Sequence, residues 1–387
     1  MKRAFLLMGI IILLLSLEAG ASTKTTVLAN DKKEDPKEFR FPYADPKSSP
    51  LHDSKDTSSA EKKEVSPQPL NPQFTVGLFD NALKPLTTPT YDNSGQAVHP
   101  SVIDFKVEYN VESWRGYRYW MAMTPYPDGY DRFENPSLLA SADGVKWVVP
   151  QGLTKPIDIL PGQTNFNSDP VLVYDPDEKA LLIYWRETLK GEYDRIWRIK
   201  YLSNGKLEPK TLVLEEAWGK QKNNLALSPS VWRKSAKEWH LWTVSGTGAI
   251  QLYDSTDGIK WSNRREIQSA WKEWNGGFIP WHLEVKPNLP KGKLDIIISG
   301  WPKGQKLTDM VLVYAESQVS DLTKMTFPLE KPLLVSGLAN QWDDDFIYKS
   351  TFVREDKDGQ SKYHIWYSAR SITGKWHMGY TSGTFGL

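Results

Sequence analysis

The sequence predicts an all-β chain: a five-bladed β-propeller preceded by a signal peptide and a disordered polar linker. Three observations carry this. A two-strand pattern recurs five times after Val98, one hairpin motif occurs twice, and past the amino terminus no stretch keeps an apolar period of 3.6 residues for three helical turns.

Each repeat opens with a short strand bearing polar groups, often beside proline or serine. The five openings are His99-Pro100-Ser101-Val102, Ser168-Asp169-Pro170-Val171, Ser228-Pro229-Ser230-Val231, Trp281-His282-Leu283-Glu284-Val285 and Tyr348-Lys349-Ser350-Thr351-Phe352. An aromatic or aliphatic strand follows each: 117–123, 181–186, 239–244, 294–301 and 363–369. Openings at 99, 169, 228, 282 and 349 are separated by 70, 59, 54 and 67 residues, the length of a four-stranded blade with its loops. Ser141-Ala142-Asp143-Gly144-Val145-Lys146-Trp147 returns as Ser255-Thr256-Asp257-Gly258-Ile259-Lys260-Trp261. Asp-Gly supplies the positive backbone angles of a tight turn, so these read as hairpins joining the third and fourth strands of blades 1 and 3. Third strands are expected at 196–202, 310–315 and 376–381. A sandwich is the weaker alternative, because five similar units at this period are hard to place in one.

The amino terminus has a different character. Lys2 and Arg3, the apolar run Ala4 to Leu17 and the small residues Ala19-Gly20-Ala21 form an export signal over 1–21. Residues 22–72 are rich in Lys, Asp, Ser and Pro without apolar period, as expected of a disordered tether. Domain 73–387 is then the propeller. Within it, Phe74 to Leu78 is β-prone and is expected to close the ring beside Trp376 to Thr381, since an unclosed propeller leaves two sheet edges open.

Composition narrows the function. The chain has no cysteine, which excludes disulfides, thiolate metal sites and a cysteine nucleophile. Forty-eight basic residues against 47 acidic ones leave no field to draw nucleic acid or an anionic membrane. A monomer secreted or held at the cell surface, without a membrane span once the signal is removed, is expected. Seventeen tryptophans and 17 tyrosines suit both pleated strands and the faces of sugars.

In a propeller the first strand of each blade lines the central channel, so the polar residue at each opening points to the axis. That ring is His99, Asp169, Ser228, His282 and Lys349, and Glu284 shares a strand face with His282. Glu134, in Phe133-Glu134-Asn135-Pro136, and Arg186, at the end of a second strand, stand where loops reach the funnel mouth. No spacing such as His-x-x-x-His is present, so no metal or other cofactor is assigned, although His99, Glu134, Asp169 and His282 carry donors that calcium or zinc accepts.

With the blades placed, the sequence resembles the five-bladed propeller glycosidases grouped around families 32, 43, 62 and 68, and more closely glycosidase-like propellers of Bacillus-type bacteria and their phages. The resemblance runs from about residue 97 to 383. It rests on His-Pro-Ser-Val (99–102), Glu-Asn-Pro (134–136), Ser-Asp-Pro (168–170), Trp-His-Leu-Glu-Val (281–285), Tyr-Lys-Ser (348–350) and Trp-His-Met-Gly-Tyr-Thr (376–381). In the family 43 pattern a blade 1 aspartate is the base, a blade 2 aspartate orients the acid and a blade 3 glutamate is the acid. Asp169 matches the second, but blade 1 presents His99 and Ser101 and blade 3 presents Ser228 and Ser230.

The resemblance implies a glycosidase acting on a polysaccharide or cell-wall glycopolymer, which needs one protonated carboxyl and one carboxylate. Asp169 is the expected base or orienting group, Glu134 or Glu284 the proton donor, and His282 a tuning or proton-transfer group. His99, Arg186, Ser228, Trp281, Tyr348 and Lys349 are the expected substrate contacts. The alternative is a propeller that binds carbohydrate without cleaving it.

Overall fold

The computed structural model describes residues 73–160, 165–218, 226–269, 271 and 274–386. The signal over 1–21 and the linker over 22–72 lie outside the described residues. Blade 1 comprises β1 (Ala97–Asp104), β2 (Tyr119–Pro125), β3 (Ser137–Ser141) and β4 (Trp147–Val148), with a short helix α1 (Phe105–Tyr109) after β1. Blade 2 comprises β5 (Asn165–Asp175), β6 (Ala180–Leu189), β7 (Tyr193–Leu202) and β8 (Thr211–Ala217). Blade 3 comprises β9 (Leu227–Ser235), β10 (Glu238–Val244), β11 (Ile250–Ser255) and β12 (Ser262–Glu266). The fourth sheet adds β13 (Gln268–Ser269), parallel to β17, to the outside of β14 (Phe278–Asn288), β15 (Lys293–Pro302), β16 (Val311–Gln318) and β17 (Asp321–Thr326). Blade 5 has three strands, β18 (Phe346–Lys357), β19 (Gln360–Arg370) and β20 (Trp376–Thr384).

The first strands touch one another in a closed cycle, β1 to β5 to β9 to β14 to β18 and back to β1. Hydroxyls on these strands stitch neighbouring blades: Leu172 N–H donates to Ser101 Oγ at 3.0 Å, Val285 N–H to Ser230 Oγ at 3.0 Å and Val102 N–H to Thr351 Oγ1 at 3.2 Å. Small polar side chains therefore supply acceptors where first strands of neighbouring sheets come together.

A bulge interrupts every first strand at or next to its ring position. Register shifts fall between Val98 and Ser101, between Ser168 and Val171, opposite Leu227 to Ser230, between Pro280 and His282, and between Ile347 and Ser350. Three ring residues, His99, Asp169 and Ser228, adopt left-handed backbone with φ of 57°, 49° and 49°. Each precedes a proline, which cannot donate to the ladder and so sits naturally in a bulge. Left-handed backbone costs a non-glycine residue about 1–3 kcal/mol and collects at functional positions. Here it re-aims the side chain.

Large aromatic residues fill the wedges between blades. Trp114, Trp120, Trp185 and Tyr201 join blades 1 and 2, and Tyr314, Tyr363 and Tyr367 join blades 4 and 5. Trp120, Trp185, Trp242, Trp366 and Trp376 are fully buried, so these five serve the core and offer no sugar-stacking face. The two repeated hairpins dock on the preceding blade: Trp366 Nε1 donates to Gly144 O at 2.7 Å, and the Tyr184 hydroxyl to Gly258 O at 2.9 Å. At Gly258 a Cβ would come within 2.8 Å of the Tyr184 hydroxyl oxygen, and φ is +67°, so glycine is required twice over.

Closure differs in detail from expectation. Phe74 to Leu78 does not run beside Trp376 to Thr381; instead Leu78 and Phe79 N–H donate to Pro332 O and Leu333 O at 3.0 and 2.9 Å. The strap that follows completes blade 5, with Thr381 Oγ1 donating to Asp80 O at 2.7 Å, Leu86 N–H to Met378 O at 2.7 Å and Trp376 N–H to Gln96 Oε1 at 3.1 Å. Pro85 and Pro89 have no N–H to donate and work against a regular fourth strand there. Among the described residues no helix is long and apolar enough to cross a membrane.

Candidate active site

Because the first strands share one direction, their opening residues collect at one end of the channel. His99, Asp169 and His282 meet there, all buried. His99 Nε2 lies 3.5 Å and His282 Nδ1 3.2 Å from Asp169 Oδ1. Neither approach has hydrogen-bond alignment: His99 Nε2 and both ring nitrogens of His282 lack a hydrogen-bond partner. One donor atom from each of the three residues can be chosen so that all lie within 4.8 Å of one another. Buried polar atoms are otherwise almost always bonded, so three unpaired nitrogens, two of them within 3.5 Å of one carboxylate oxygen, mark a place for something else.

The surroundings hold this cluster still. Thr124 Oγ1, on β2, is 2.9 Å from His99 Nδ1, which leaves Nε2 facing Asp169. The Tyr348 ring packs against both imidazoles, with centroids 5.3 Å from His99 and 4.5 Å from His282. Trp281 packs beside His282 and Trp301. Lys349 Nζ lies 3.3 Å from Asp169 Oδ1 and Arg186 3.7 Å from Asp169 Oδ2. Arg186 is fixed in turn by Asp194, 2.9 Å from its Nε.

Electrostatics assign the protons. Burial pushes His99 well below, and His282 below, the ordinary imidazole range, so both stand neutral. Burial opposes the charge of Asp169, but the dipoles of the two neutral imidazoles it faces and the Lys349 ammonium together outweigh it and hold its carboxyl well below the usual carboxylate range. Glu134 is the converse. Burial, reinforced by Asp131 and Asp169, raises its carboxyl well above the usual range, and Oε1 lies 3.5 Å from His99 Nδ1. The site thus pairs an ionised carboxylate with a protonated one.

Of the residues singled out in the sequence, Asp169, His99, His282, Lys349, Arg186, Glu134, Tyr348 and Trp281 come together. Two do not. Ser228 is tied to the neighbouring blade, its Oγ accepting from Leu283 N–H at 3.2 Å. Glu284 lines a cavity at the other end of the channel, with Glu108 and Lys286. His240 and His364, on second strands, are held by Asp254 and by Glu355 and Tyr380, away from the cluster.

The chain is 27% identical over 316 residues to the A type blood N-acetyl-alpha-D-galactosamine deacetylase of Flavonifractor plautii. That alignment covers 71% of this chain and 40% of the relative, so the chain spans about two-fifths of the length of the curated protein it matches. The crystal structure of an N-acetylgalactosamine deacetylase from F. plautii, in complex with blood group B trisaccharide, superposes with a TM-score of 0.67 at 23% identity, over 79% of this chain and 95% of that one. An endo-arabinase from Bacteroides thetaiotaomicron gives 0.51 at 12% identity, over 80% and 98%. A family 43 β-xylosidase/α-arabinofuranosidase from a compost metagenome, in complex with xylotriose, gives 0.51 at 12%, over 81% and 96%. No protein-family profile matches. The fold is that of the five-bladed propeller glycosidases.

Two contributors escaped the sequence reading. Thr124 belongs to a second strand, and its role follows only from pairing opposite Val98, next to His99. Asp194 receives Arg186 Nε, the Thr188 hydroxyl and Ala226 N–H, and no local motif marks it.

Proposed function

We propose that this chain is a metal-dependent hydrolase that deacetylates an N-acetylated sugar in the central funnel. The observation that carries the reading is the convergence of two neutral imidazoles and one ionised carboxylate with unpaired nitrogens. Two histidines and a carboxylate form a donor set for a divalent transition metal with open positions. Neutral imidazole and ionised carboxylate are the states that bind metal without first losing a proton. The relative's name, a sugar deacetylase, supports the same chemistry, and the departures of blades 1 and 3 from the glycosidase carboxylate pattern favour it over bond cleavage between sugars.

His99, Asp169 and His282 would hold the ion, and Thr124 fixes the His99 ring as its outer partner. When bound, such an ion supplies Lewis-acid polarisation of the acyl carbonyl and an acidified water. In the overall reaction water adds to the acyl carbon, the C–N bond breaks, and acetate and a sugar amine leave. Glu134 donates the proton that the departing nitrogen needs and regains one from the water. Tyr348 and Trp281 wall the site, and Arg186 and Lys349 keep Asp169 ionised. With its export signal, the chain would meet such glycans outside the cytoplasm.

A second reading, glycoside hydrolysis, is favoured by one observation: Glu134 protonated and Asp169 ionised is the pairing that reaction requires. One assay separates the two. Purified chain is incubated with oligosaccharides ending in N-acetylgalactosamine, with added zinc or manganese or with chelator, while released acetate and new reducing ends are both measured. Acetate release that chelator abolishes, and that His282→Ala and Asp169→Asn lack, is the expected result. Reducing ends formed in chelator would establish the second reading; neither product with any added metal would overturn both.

A further inference from the structure

The channel has a second end. There the far ends of the first strands surround a cavity of about 660 Å³, the size of a small-ligand site. Glu284 lies in its wall, and its Oε2 is buried without a hydrogen-bond partner. Tyr109 is half-buried in the wall, and Leu289 stands exposed at the rim.

The chemistry around the cavity selects among ligands. Cations border it, but each already holds an acid: Arg233 pairs with Asp175 and Asp177, Arg354 with Asp295, Arg118 with Asp104, Lys106 with Glu112 and Lys234 with Glu238. No uncommitted positive charge remains for a phosphate or carboxylate. A metal ion is disfavoured as well, because Lys286 shares the strand face of Glu284 and its Nζ occupies Glu108, 2.8 and 3.0 Å from the two oxygens. What remains is one unsatisfied carboxyl oxygen in a wall of apolar side chains and the half-buried Tyr109 ring, a lining suited to a ligand that donates a hydroxyl and presents apolar C–H faces.

We infer that this cavity is a second binding site, for a neutral saccharide, with Glu284 accepting a ligand hydroxyl. It is independent of whatever reaction the His99, Asp169 and His282 cluster performs. Such a site would let one chain hold a glycan on the face opposite its chemistry.

The test uses the Asp169→Asn chain, so that the front site is disabled, titrated calorimetrically with lactose and, separately, with calcium and with inorganic phosphate. Saturable lactose binding is expected. Adding Glu284→Ala should weaken it by roughly tenfold or more, and Leu289→Trp, at the exposed rim where folding is not at risk, should change it by steric block or by stacking. Lactose binding that both changes leave intact, no lactose binding at all, or binding of calcium or phosphate in its place overturns the inference. Because acetate release is not the readout, the outcome stands apart from the deacetylase reading.

Discussion

Lys349 Nζ and Asp169 Oδ1 lie 3.3 Å apart, both buried, although 180 residues separate them in the chain. The pair spans the ring from blade 5 to blade 2. Together with the imidazoles of His99 and His282, it lets a carboxylate ionise in a place that burial alone would forbid.

Replacing that lysine exposes the dependence. Asp169 is depressed in the folded state, so it contributes stability above its unfolded range, near pH 4, and this is lost as pH falls through the lower folded value. In Lys349→Met the loss should begin at a higher pH, and at neutral pH the metal-free protein should lose about 3–5 kcal/mol. Denaturant melts across pH 3 to 8 check this. An unchanged profile would show that the imidazoles and Arg186 suffice.

Glu134 is expected to set the alkaline limb of activity. Its carboxyl is raised, so it remains a proton donor until pH climbs through that raised value, after which turnover falls. Glu134→Gln should lower kcat by about 10²–10⁴-fold and remove that limb. A variant that keeps the limb would assign it to another group.

Glu284 gives a stability effect of opposite sign to Asp169. Burial pushes its carboxyl up to about 7, so the folded chain holds a proton that the unfolded chain releases near its ordinary value. Stability is therefore lost as pH rises from about 4.5 to 7. Glu284→Gln should match the parent at pH 4 and exceed it at pH 8, by up to about 3 kcal/mol. Equal melts at pH 8 would contradict this.

Removing residues 73–86 along with the preceding segment should lower the melting temperature by more than roughly 5 °C, because the backbone bonds to Pro332, Leu333 and Met378 go together. Loss of Phe79 also uncovers the wedge it shares with Leu333 and Phe385. A truncation that melts with the parent would place closure in the inner strands alone.

The blades were legible because their marks are local. Alternation, spacing and the Asp-Gly hairpins each reflect a single strand or turn, and the proline after His99, Asp169 and Ser228 marks the bulge. The cluster was legible for the same reason, since one rule about first strands collects residues from four blades. Depth along the channel was not. Glu284 does share a strand face with His282, but two further residues carry it toward the other end, where Glu108 and Lys286 wait. Ser228 misled through its chemistry: a hydroxyl beside proline reads as a ligand contact, yet it accepts Leu283 N–H from the next blade. Trp120, Trp185 and Trp366 read equally well as sugar platforms or as wedges, and only burial decides.

The repeated bulge has a consequence for how such a protein changes its trade. Since every inner strand turns its opening residue to the axis by the same local break in register, the reacting groups are exchangeable one sheet at a time, without rebuilding any loop. Four positions carry imidazole, carboxylate or ammonium, while at the fifth the Ser228 hydroxyl is spent on joining two blades. The scaffold can thus divide its ring between chemistry and cohesion, one sheet at a time.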